Sequence, residues 1–91
     1  MQQLVSLYTE YTGKAIPTLE ALPSSGSNRR YYRLKSDGLS LIGVHGESRD
    51  ENRAFIHLAR HFHKRGLNVP EILAVSNDEI FYLQEDLGDT I

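Results

Sequence analysis

A chain of 91 residues with 40% hydrophobic content and no cysteine has room for one small core, without disulfides or thiolate metal sites. Its net charge of −2 lacks the strongly basic face that nucleic-acid binding ordinarily requires, so no nucleic-acid partner is expected. The opening residues Met1-Gln2-Gln3-Leu4-Val5-Ser6 form neither a basic leader nor a long apolar run. No signal peptide, membrane span or membrane partner is therefore predicted, and a cytoplasmic location is expected.

Leu4, Leu7, Tyr8 and Tyr11 fall at helical spacing and predict a helix over Gln2 to Tyr11 that stops at Gly13. Thr18 to Leu22 reads as a short strand, with Pro17 and Pro23 tolerable only because they bracket it. Arg30 to Lys35 is a second strand and Leu39 to His45 a third, and Asp37-Gly38 between them is a strong hairpin signal. Gly43 inside the third strand marks a bulge or a close approach by a ligand.

Ser48 to Arg65 is the longest predicted helix. Ser48 and Glu51 have capping-box spacing, Phe55, Leu58, Ala59 and Phe62 form the expected buried stripe, and Gly66 supplies a left-handed stop. Glu71 to Ser76 and Glu79 to Glu85 are the last two strands, joined by a tight turn at Asn77-Asp78. Short turns between successive strands require antiparallel pairing. The expected fold is therefore α+β and a single domain over residues 1–91. It has a five-stranded antiparallel sheet, one long helix covering a face, and an N-terminal helix outside.

The chemistry concentrates in Ser24-Ser25-Gly26-Ser27-Asn28-Arg29-Arg30. Hydroxyls, amides and successive backbone N–H groups in such a turn make a concave anion site, and arginines add planar donors suited to phosphate. The same residues also make an ordinary polar turn. His57 and His61 stand four apart, but without a third ligand they read as a solvated helix face. Glu85, Asp86 and Asp89 read as a strand-to-loop exit before a carboxylate pair, and Glu51 as a cap before an inward acid.

Four pieces in this order resemble the N-terminal lobe of the aminoglycoside-phosphotransferase and choline-kinase-like branch of the protein-kinase-like fold. They are Ser25-Gly26-Ser27-Asn28-Arg29-Arg30-Tyr31-Tyr32-Arg33, the helix from Glu51 to Phe62, Val69-Pro70-Glu71-Ile72, and Leu83-Gln84-Glu85-Asp86-Leu87-Gly88-Asp89. The nearest likeness is to bacterial kinases that phosphorylate cell-wall amino sugars at the anomeric position. The resemblance implies an ATP- and Mg²⁺-dependent transferase of the γ-phosphoryl group to a sugar or amino-alcohol hydroxyl. It places Ser25, Gly26, Ser27, Asn28, Arg29 and Arg30 over the phosphates, and Glu85, Asp86 and Leu87 at the hinge that meets the adenine.

Two departures accompany the likeness. The family's strand-3 lysine is replaced by Val44, with His45 on the other strand face, so Arg29 or Arg30 is expected to supply the charge, with Arg30 taken as the inward one. The catalytic base and metal ligands of the family belong to a C-terminal lobe that residues 1–91 do not include, so these residues alone are expected to show no turnover. A non-catalytic, kinase-like module for protein interaction or regulation is the alternative.

Overall fold

The computed structural model of the chain describes residues 2–23 and 29–88. Its elements are α1 (Gln2–Thr12), β1 (Thr18–Ala21), β2 (Arg29–Ser36), β3 (Leu39–Gly46), α2 (Arg49–Lys64), β4 (Ile72–Val75) and β5 (Phe81–Glu85). The strands form one antiparallel sheet in the order β1-β2-β3-β5-β4, the α+β fold expected from the sequence. After β3 the chain runs through α2, lays down β4 at the edge, and returns as β5 into the gap beside β3.

The β2–β3 turn forms as its residues dictate. Asp37 and Gly38 have φ of 48° and 81°, the paired positive values a type I′ turn needs, and Ser36 faces Leu39 across it. The β4–β5 connection is longer than the expected Asn77-Asp78 turn. Its strands end at Val75 and resume at Phe81. Asp78 shapes the intervening loop by accepting from the Ser76 hydroxyl at 2.7 Å and the Ile80 N–H at 3.1 Å.

Helices cover both faces of the sheet. On one face, Leu4 and Tyr8 of α1 bury against Leu34, Leu41, Phe81 and Leu83. Tyr8 also shares a 2.6 Å hydrogen bond with Ser36 Oγ at the end of β2. Gly43 is the contact point: a Cβ there would sit 2.7 Å from Leu34 Cδ1 and 3.0 Å from Leu4 Cδ2. The close approach expected at Gly43 is thus made by Leu34 of β2 and Leu4 of α1. On the other face, Ile56 and Ala59 of α2 pack on Ile42, Val44, Ile72 and Tyr82.

The expected buried stripe of α2 is right at Ala59, but the helix is rotated away from its other three members. Phe55, Leu58 and Phe62 are 37%, 50% and 38% exposed, while Asn52, Ile56 and Ala59 face the sheet. Asn52 explains the phase. Its buried carboxamide donates to the carbonyls of Gly46 and Glu79, both at 2.8 Å, and accepts from Arg29 Nε at 3.3 Å. Gly46 makes room, since a Cβ there would collide with that carboxamide. The Asn52 contacts hold the helix at this rotation, which leaves Phe55, Leu58 and Phe62 partly exposed. The capping reading of the same helix stands: Glu51 N–H donates to Ser48 Oγ at 3.2 Å, and Glu51 is exposed.

Candidate functional site

Strand alternation puts Arg29, Tyr31 and Arg33 of β2 on the face that carries α2. Ile42 and Val44 of β3 and Tyr82 and Gln84 of β5 continue this face in register: Arg33 opposes Ile42, Ile42 opposes Gln84, and Val44 opposes Tyr82. Beyond β1, a hydrogen bond from Leu22 N–H to the Tyr31 carbonyl at 2.9 Å holds Leu22 over the same face. The result is an open cleft of about 650 Å³. Leu22, Pro23, Tyr31 and Ile42 form its apolar walls, Gln84 lies on its floor, and Asn68, Pro70 and residues 85–88 form its rim. Such a volume, mostly apolar with few polar groups, is typical of small-molecule sites.

Asp86 fixes one end of the cleft. Its Oδ2 accepts from Arg33 Nε at 2.9 Å and from the Ser40 hydroxyl at 2.5 Å, and its Oδ1 accepts from the Gly88 N–H at 2.8 Å. The pair is largely shielded, with side chains of Arg33 and Asp86 13% and 8% exposed. Burial alone would raise the Asp86 pKa. The hydrogen bonds from Ser40, Gly88 and Arg33, with the charge of Arg33, outweigh it and hold the carboxyl below its ordinary value. The carboxylate is therefore a structural anion that ties β2, β3 and the 86–88 turn together.

Arg29 lies on the same face of β2, beyond the residues that line the cleft. Its guanidinium bonds to Asn52 Oδ1 and, through Nη2, to the Glu51 carbonyl at 3.1 Å, and it lies 4.8 Å above the Phe55 ring. Beneath it the Tyr82 hydroxyl is buried close to the Arg29 guanidinium. Burial pushes the pKa of Tyr82 well up, against the pull of the Arg29 charge, so the phenol stays protonated.

The residues singled out in the sequence separate as follows. Ser25, Gly26, Ser27 and Asn28 lie outside the described residues, as does Asp89. Arg29 is on the cleft face. Arg30 is exposed and alternation sends it to the opposite face, so the inward expectation for Arg30 is reversed. Glu85, Asp86 and Leu87 do border the cleft, although Glu85 is exposed and accepts a 3.3 Å hydrogen bond from the Glu71 N–H. Among the described residues no group of three or more His, Cys, Asp or Glu side chains could hold a metal, and His57, His61 and His63 are exposed on α2.

Arg33, Ser40, Asn52 and Gln84 were not singled out in the sequence. The spacing of Arg29, Tyr31 and Arg33 at i, i+2 and i+4 already places them on one strand face. Nothing local in the sequence announces that Ser40 stands opposite the residue following β5. No protein-family model matches the chain, and none of the curated proteins matches it.

Proposed function

We propose that this chain is the nucleotide-binding lobe of a small-molecule kinase, one that moves the γ-phosphoryl of ATP to a sugar or amino-alcohol hydroxyl. The observation that carries the reading is the arrangement of one sheet face. An apolar slot between Leu22 and Ile42 runs from a pinned backbone turn at 86–88 toward an arginine, Arg29, four residues along β2 from Arg33. At strand rise, Arg33 beside the turn and Arg29 are about 13 Å apart along β2, a separation suited to a flat base at one end and an anionic tail at the other. Arg29 then supplies fixed positive charge where Val44 stands in place of the family's lysine. Mg²⁺, when bound, neutralises phosphate charge, and phosphoryl transfer rests mainly on such positioning and electrostatics.

The test is a titration of the isotopically labelled chain with ADP and with Mg²⁺·ATP. Amide shifts at Ile42, Gln84, Leu87 and Gly88 are expected, with Arg29 moving only for the longer phosphate tail. Shifts confined to the α1 face, or none at millimolar nucleotide, would sink the reading. Val44 favours a second reading, a kinase-like module that binds without catalysis. Binding by the 91-residue chain, with no phosphoryl transfer by any longer form of the protein, would decide for that module.

A further inference from the structure

A second groove, sharing no lining residue with the cleft, runs between α2 and the β4–β5 loop and encloses about 500 Å³. Ile56 and Val75 give it an apolar floor, and Ser76 and Asn77 form its far wall. Arg49, Arg53, His57, Arg60 and Lys64 recur every third or fourth residue, so they share one side of α2, and all five are exposed. The first two are occupied. Arg53 forks onto the Glu79 carboxylate with both bonds at 2.7 Å, and Arg49 Nε donates to the Asp78 carbonyl at 3.1 Å. His57, Arg60 and Lys64 continue the stripe and make no side-chain hydrogen bond or ion pair with another described residue. Charge is segregated along the chain in the same sense. Residues 52–70 hold four Lys or Arg and three of the four histidines, without one Asp or Glu, in a chain of net charge −2.

We infer that this groove docks an acidic, extended segment of a partner protein. Its carboxylates meet His57, Arg60 and Lys64, and one apolar side chain rests on Ile56 and Val75. Arg53 to Lys64 spans about 16 Å of helix, the length of about five residues of extended chain. The cationic stripe faces water on one side and an apolar floor on the other, which suits carboxylates spaced around a single apolar anchor. A concave groove fits a chain better than a flat lipid surface. Asp78 and Glu79 border its loop side and repel a continuous phosphate backbone, whereas separated carboxylates avoid them.

The experiment titrates the isotopically labelled 91-residue chain with the peptide Glu-Glu-Leu-Glu-Glu, with Gln-Gln-Leu-Gln-Gln, and with a short oligothymidylate, following amide shifts. The acidic peptide is expected to move the amides of His57, Arg60, Ser76 and Asn77 and to bind about ten-fold tighter than the neutral one. Arg60→Glu should weaken the acidic peptide about ten-fold. Lys35→Glu, the same charge change on β2, should weaken it by less than about two-fold. Both positions are exposed, so neither variant disturbs the core. Equal losses in the two variants would mean attraction to net charge alone and would remove the groove from the binding. Equal affinity for the two peptides would defeat the recognition of carboxylates. Tighter binding of the oligothymidylate at the same amides would replace the protein partner by a nucleic acid and so overturn the inference. No shift at millimolar acidic peptide would end it outright. The nucleotide reading rests on other residues and is untouched by any of these results.

Discussion

Arg33 Nε meets Asp86 Oδ2 at 2.9 Å across 53 residues of sequence, joining β2 to the turn that borders the cleft. Because the folded-state pKa of Asp86 is depressed below 3.8, its stabilisation is present above that value and is lost as pH falls through the folded pKa. Asp86→Asn should destabilise the chain by about 1–3 kcal/mol at pH 7. It should also flatten the fall of stability below pH ~4. Urea unfolding at a series of pH values checks both. Asp78, held low chiefly by its Ser76 hydrogen bond, and Glu79, held low chiefly by its Arg53 hydrogen bond, leave a residual slope of the same sign in the variant.

Asn52 should behave as a core residue despite its polarity. Asn52→Ala strands the buried carbonyl of Gly46 and the part-buried carbonyl of Glu79, and removes an acceptor from Arg29. A loss of about 2–4 kcal/mol in chemical unfolding is expected. Asn52→Asp should be no better, since a carboxylate cannot donate to either carbonyl. A change under half a kilocalorie in Asn52→Ala would mean that these bonds do not set the helix phase.

The phase itself is tested by a pair of truncations on α2. Ile56 is 6% exposed, so Ile56→Ala should cost about 2–4 kcal/mol. Phe62, at 38% exposed, should cost under about 1 kcal/mol when truncated. Reversed magnitudes would restore the stripe that hydrophobicity alone suggests.

The elements and their order were legible in the sequence because their signals are local: Asp37-Gly38, Ser48 with Glu51, and the alternation around Leu41 to Val44. The rotation of α2 was not, because periodicity ranks faces by apolar content. Asn52, the residue that decides it, is polar and acts through carbonyls 6 and 27 residues away. The cleft was half legible for the same reason. Arg29 and the 85–87 segment lie beside recognisable punctuation, whereas Arg33, Ser40 and Gln84 join the site only through strand register.

The arginine pair gives a direct functional contrast. Arg29→Ala should weaken Mg²⁺·ATP binding by about ten- to a hundred-fold, the loss of a charge-assisted contact, while ADP is affected less. Arg30→Ala, on the opposite face, should leave both affinities unchanged. Titration calorimetry of the two variants checks this, with Arg29→Lys to separate charge from the anchoring of Asn52. Equal affinities for wild type and Arg29→Ala would remove Arg29 from the phosphate role proposed for it.

The position of β5 between β3 and β4 bears on how the protein is made. A chain emerging from the ribosome can form the β1–β2–β3 meander early, since its turns are local. The centre of the sheet stays open until Phe81–Glu85 arrives, and until then the inner edges of β3 and β4 have no partner. The same late segment carries Gln84 and leads into Asp86, so the cleft comes into being in the last step of synthesis of the described residues. A nascent or truncated chain lacking that strand therefore exposes an unpaired edge of Leu41 to Val44, and this is where association with other chains is expected to begin.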